Sequence, residues 1–146
     1  MITQEEADER VGKGWLRANM IFQVIAIHEE ATKKALEEHV QNLDHDKRIK
    51  LYKKKFEDVL RLDNPEGQIK QAFSQICEIT SVAKNFDELV QIMIEYGPSS
   101  VELLEPQNVK IPAGEAQSIL NTISEIMHKF AAAGLGGMIF VRGGKQ

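Results

Sequence analysis

The sequence predicts an α+β fold in which helices cover one face of an antiparallel sheet. Three patterns carry that reading. Apolar runs of strand length stand at 17–27, 73–82 and 101–105. A segment with a helical apolar stripe follows each of them, and Gly, Pro, Asn and Asp separate the two kinds.

The elements follow in order. Thr3 and Glu6 have capping-box spacing, so a short acidic helical turn begins there and Gly12 and Gly14 interrupt it. RANMIFQVIAI, at 17–27, is too apolar for a surface helix and alternates, which predicts a buried strand. HEEATKKALEEHVQNL, at 28–43, is a helix. Glu29 with Lys33 and Glu30 with Lys34 support it at i,i+4 spacing, and Leu36, Val40 and Leu43 form its inward stripe.

The segment 47–62 carries two patterns at once. Ile49, Tyr52, Phe56, Val59 and Leu60 fit a helical stripe, whereas Ile49 and Leu51 alternate with lysines as in an exposed strand. The local period favours helix. The rest of the chain favours a strand at 49–56, because two buried helices and three apolar strands need a layered sheet. The strand reading is taken.

DNPEG, at 63–67, is a turn, and FSQICEITSV, at 73–82, alternates as a strand. Asn85 opens the next helix, whose Leu89, Val90, Ile92, Met93 and Ile94 predict that it is largely buried. Gly97-Pro98 ends it, and VELLE is a strand. Pro112 starts the last helix, with the stripe Ala116, Ile119, Leu120, Ile123, Ile126, Met127, Phe130. The order is βαββαβ plus a C-terminal helix, the ferredoxin-like split βαβ arrangement.

At 146 residues the chain suits one domain, placed at 1–133, followed by a glycine-rich tail at 134–146. Hydrophobic content of 42% and charged content of 27% argue against wholesale disorder. The net charge of −4 supplies no general basic field, so nucleic-acid binding would need a local patch. Cys77 is the single cysteine, which excludes an internal disulfide and a Cys-rich zinc site. The start, MITQEEADER, is acidic where a targeting peptide is basic or apolar, and the run AAAGLGGMIFV falls short of the ~20 residues of a spanning helix. A cytoplasmic protein with no membrane contact is expected.

YGPSSVELLEP, at 96–106, follows the FSQICEI strand and the FDELVQIMIE helix. With the MIFQVIAI strand and the EEHV helix further upstream, it resembles a family of small uncharacterised archaeal proteins. The resemblance covers about residues 17–130 and leaves the tail outside. It implies a fold class and an archaeal source, and it carries no activity.

Ser99, Ser100, Glu102 and Glu105 are the candidate ligand or partner site. A carboxylate pair with hydroxyl support could act as an acid/base or cation site. The plainer reading is preferred: the serines satisfy backbone groups at a helix-to-strand junction, and both glutamates are solvated. Lys47, Arg48, Lys50, Tyr52, Lys53, Lys54 and Lys55 interleave bases with aromatics, as single-stranded RNA requires. Glu57 and Asp58 follow at once, and lysines also blunt an exposed edge strand, which is the reading preferred. His39, Asp44, His45 and Asp46 lack the spacing of zinc ligands, so no metal and no cofactor is expected. Cys77 reads as a small buried hydrophobe. The expected function is a non-catalytic interaction or small-ligand-binding module, homodimeric through its surplus C-terminal helix. An RNA-binding module, or an enzyme using Glu102 and Glu105, is the alternative.

Overall fold

The computed structural model describes residues 1–63, 67 and 70–134. The chain divides into two compact units, residues 1–109 and 110–146. The first holds α1 (Gln4–Gly12), β1 (Leu16–Ala26), α2 (Glu29–Asp44), β2 (Ile49–Phe56), β3 (Leu60–Asp63), β4 (Gln71–Ala83), α3 (Phe86–Tyr96) and β5 (Ser100–Glu105). The second holds α4 (Ala113–Ala132). The fold is mixed α+β, as expected.

Local chemistry sets the helix ends. The Thr3 hydroxyl accepts the Glu6 N–H at 3.1 Å, and the Glu6 carboxylate accepts the Thr3 N–H at 2.7 Å, completing the capping box. Asn85 caps α3 through the Glu88 N–H at 2.8 Å. At the other end Gly97 takes φ +60°, a left-handed cap that an L side chain would strain.

The sheet is antiparallel throughout. Among the described residues it has five strands, in the order β2-β4-β1-β5 with β3 also pairing β4. Alternation along β1 buries Leu16, Ala18, Met20 and Phe22 on one face, opposite Ala83, Ser81, Ile79 and Cys77 of β4. Leu36, Val40 and Leu43 of α2 close over that face, as the stripe predicted. Helix α1 packs against β4 and β2.

Several expectations are corrected. The N-terminal turn is a nine-residue helix. Four strands were expected in the ferredoxin-like arrangement, and the fifth, β3, occupies part of the uncertain 47–62 segment. It was missed because four residues leave too short a pattern; it forms because β4, at thirteen residues, outlasts β2 and pairs 71–74 with 60–63. In α3 only Leu89 and Ile92 are buried, and Ile94 is 44% exposed. Leu103 is exposed although Val101 packs on the core, because β5 is the last strand of the path with no neighbour beyond it among the described residues. Pro112 occupies the N-cap of α4 rather than its first turn. In the DNPEG turn, residues 64–66 lie outside the described residues, as does the tail past Gly134.

Candidate functional site

The strand register settles where the predicted residues fall. On the face away from α2, one row across the sheet reads Glu102, Asn19, Thr80, Lys53, and the next reads Ser100, Ile21, Glu78, Lys55. A third row brings Glu105 beside Arg17, then Val82 and Lys50. The acidic candidates therefore line one edge of this face and the lysines line the other. Between them the Asn19 amide donates to Glu78 at 2.8 Å and accepts from the Thr80 hydroxyl at 3.2 Å. Val82 lies on this face yet is fully buried, since α1 packs there.

Arg17 is the hub of the acidic end. Its guanidinium donates to Asp8 and Glu105, each at 2.5 Å, and to the Tyr52 hydroxyl at 2.6 Å. It also lies 5.3 Å from the centroid of the Tyr52 ring. Partial burial alone would weaken the charge, but the bonds to Tyr52, Asp8 and Glu105 together hold the group protonated above its ordinary range. Glu105 is thus an exposed carboxylate that is also paired with Arg17, a partner the sequence reading did not name. Glu102 is exposed beside Asn19. The Ser99 N–H and hydroxyl both donate to the Ile21 carbonyl, at 2.8 and 3.0 Å, which is the junction chemistry expected of it. Ser100 is exposed on the strand.

These placements give the β5 substitutions a definite order. Glu105→Ala is expected to cost about 0.5–1 kcal/mol as an exposed ion-pair partner. Glu102→Ala should cost less than about 0.5 kcal/mol. Val101→Ala, which uncovers core, should exceed both at about 1–2 kcal/mol. Urea unfolding of the three variants checks the ranking, and a Glu102 effect larger than that of Glu105 would contradict it.

The basic run is divided by the register. Lys50, Lys53 and Lys55 share the face of Tyr52, whereas Lys54 stands opposite Ile79 and Phe56 opposite Cys77, on the core side. The two aromatics therefore point to opposite faces, and the Tyr52 hydroxyl is already engaged by Arg17. Lys47 is exposed ahead of the strand.

Arg48 turns to a second cluster that the sequence did not signal. It holds Asp46 through Nε at 2.9 Å and Nη2 at 2.7 Å, and reaches Glu95 at 3.0 Å through Nη1. The Tyr96 hydroxyl donates to Asp46 at 3.0 Å. Arg48 holds the Asp46 carboxyl well below the usual carboxylate range and lowers Glu95 as well. Burial, then Asp46, pushes the Tyr96 phenol up. Asp46 and Arg48 stand two apart in the chain, but their apposition to Glu95 and Tyr96 comes from packing α3 beside the start of β2.

The His39, Asp44, His45, Asp46 group does not converge. His39 Nε2 lies 2.7 Å from the Tyr96 carbonyl, Asp44 pairs with the N-terminal ammonium at 3.3 Å, and Asp46 belongs to Arg48. No group of three His, Cys, Asp or Glu side chains placed to hold a metal ion occurs among the described residues. Cys77 is buried and its thiol is pushed up to about 11 by burial, so it holds little thiolate at neutral pH. A cavity of about 310 Å³ opens beside Glu57, Asp58, Leu60, Ser74 and Ile76. A second, of about 260 Å³, lies between β1, α2 and the end of α3, with Phe22, His39 and Tyr96 in its wall.

Fold and surface together define an α+β protein whose described residues form a five-stranded antiparallel sheet, with one face packed under α2 and α3 and the other, partly covered by α1, crossed by a polar, charge-divided array. Among the described residues no helix is long and apolar enough to cross a membrane. The chain belongs to the MJ0538 family, whose sequence model matches residues 17–138. That span takes in β1 from its second residue, β2 to β5, α2, α3 and α4, and omits α1. Comparisons with curated proteins and with solved structures found no match.

Proposed function

We propose that this protein is a non-catalytic interaction module that works as a homodimer, joined through α4. The observation that carries the reading is the spacing of apolar residues on that helix, three of them exposed and Met127 partly buried. Leu120, Ile123, Met127 and Phe130 follow one another at intervals of three, four and three, the seam of a two-helix coiled coil. No residue of α4 is buried, and Leu120 is 61%, Ile123 46% and Phe130 45% exposed. A second copy supplies the matching seam. Antiparallel pairing matches Leu120 with Phe130 and Ile123 with Met127 across the seam and opposes the helix dipoles. A self-complementary patch of this kind closes as a two-fold dimer.

The core also supports a ferredoxin-like assignment at the finer level. If β2 and β3 are read as one interrupted strand beside β4, the remaining elements run βαββαβ and the strands keep the order of that arrangement. The Glu57 N–H, between the two strands, donates to the Ile76 carbonyl at 2.9 Å and keeps the interrupted edge against β4.

The dimer is tested by sedimentation at micromolar concentration. The natural chain is expected to sediment as a dimer, and Leu120→Glu with Ile123→Glu as a monomer whose near-ultraviolet spectrum is retained. A monomeric natural chain, or a dimer that survives both substitutions, would remove α4 as the joining element.

A further inference from the structure

We propose that the notch between β1, α2 and the Tyr96–Gly97 corner binds a small planar amide or lactam. Three features of the fold converge there. The first is a free stretch of strand edge. The pairing of β1 with β5 ends at Ile21 opposite Ser100, and the Ile21 carbonyl is taken by Ser99. Residues two apart in a strand direct their backbone groups to the same side. Gln23 therefore turns its N–H and C=O the same way as Ile21, past the start of β5 and into the notch it lines. An adjacent donor and acceptor at that spacing is the complement of an amide edge.

The second feature is His39. Its Nε2 lies 2.7 Å from the Tyr96 carbonyl, and a carbonyl only accepts, so this nitrogen carries the proton. In the neutral ring Nδ1 is then an acceptor, and no protein donor reaches it among the described residues. Phe22 and Tyr96 meet the ring edge-on, with centroids 5.2 and 5.6 Å away, and hold it in one orientation. Tyr96 is itself anchored through its hydroxyl to Asp46, which Arg48 grips. The polar group is thus preorganised rather than adaptable, as a binding site requires.

The third feature is the space itself. Ala35, one turn before His39 on α2, and Gly97 bring little or no side chain, and nothing lies within 4 Å of where a Gly97 Cβ would be. The resulting volume of about 260 Å³ is just below the ~300 Å³ at which drug-sized pockets begin. It suits a single ring with its amide. The Phe22 and Tyr96 rings and Val24 supply apolar contact for the body of the ligand, while Gln23 and His39 read its edge. None of these residues belongs to α4, so this site and the proposed dimer stand or fall separately.

Nicotinamide is the probe, titrated into the full-length 15N-labelled chain. Saturable, millimolar shifts are expected at the amides of Gln23, Val24, Ala35 and Gly97 and at the His39 ring nitrogens. N,N-dimethylnicotinamide keeps the ring and loses the donors, and should bind at least about tenfold more weakly. Ala35→Leu fills the notch from an exposed helical position that leucine tolerates, so it should abolish the shifts while leaving the melting temperature unchanged. Shifts that fail to saturate, that persist in Ala35→Leu, or that are equal for the dimethyl compound overturn the assignment. So does a response of the same amides to an extended valine-rich peptide but not to nicotinamide, which would make the notch a strand-addition edge.

Discussion

Ile79→Ala is expected to lower the unfolding free energy by about 3–5 kcal/mol, the upper part of the range for a buried aliphatic truncation. Ile79 is fully buried on β4, the strand that carries β1 on one side and β2 and β3 on the other. It stands opposite Met20 of β1 and Lys54 of β2, so no flexible loop can collapse into the space it vacates. Set against a typical domain stability of about 5–15 kcal/mol, this one change should bring the protein close to its folding threshold. Ile94→Ala is the matched control. It removes the same atoms from a side chain that is 44% exposed and should cost less than about 1 kcal/mol. Urea midpoints at unchanged slope measure both, and equal effects would contradict the placement of the core.

Asp46→Asn is expected to cost about 2–3 kcal/mol at neutral pH, the worth of charge-assisted hydrogen bonds from a mostly buried partner. The carboxyl is only 12% exposed and receives bonds from Arg48 and Tyr96. Arg48 lowers its pKa from 3.8 in the folded chain, so the unfolded chain binds more protons as the medium becomes acidic. The stabilisation is therefore complete above the ordinary aspartate value and is lost as pH falls through it toward the lower folded value. The gap between natural chain and variant should be constant near neutrality and should narrow steadily once pH drops below about 4. A gap that stays the same down to about pH 2 would show that Asp46 acts by shape rather than charge.

Much of the fold was legible because it rests on local rules. Thr3 with Glu6, Asn85 with Glu88, and Gly97 are caps whose chemistry is complete within four residues, and each stands where its spacing placed it. The alternation of 73–82 and the stripe of 28–43 likewise report burial directly, since one face of each meets the core. Segment 49–56 shows where local pattern misleads. Its helical period comes from a register shift between Leu51 and Lys53, which adds a residue and moves Phe56 onto the core face. Only the layered sheet that the other strands and helices require identifies it as a strand.

The candidate site divides along the same line. By itself the sequence determined the residue types and their alternation: which glutamates and lysines belong to β5 and β2, that Ser99 serves a junction, and that Cys77 is buried. The tertiary structure alone decided that Glu105 meets Arg17, that Arg48 joins Asp46 to Glu95, and that His39 lies between Phe22 and Tyr96. It also decided that Leu103 is exposed and that α3 is buried on one side only. Arg17 with Glu105, Arg48 with Glu95 and His39 with Tyr96 each join residues more than forty positions apart, and the exposure of Leu103 depends on β5 having no neighbour beyond it among the described residues. Propensity and periodicity act within one turn or one pleat, whereas such contacts depend on strand order and register, which are set when the whole sheet closes its core.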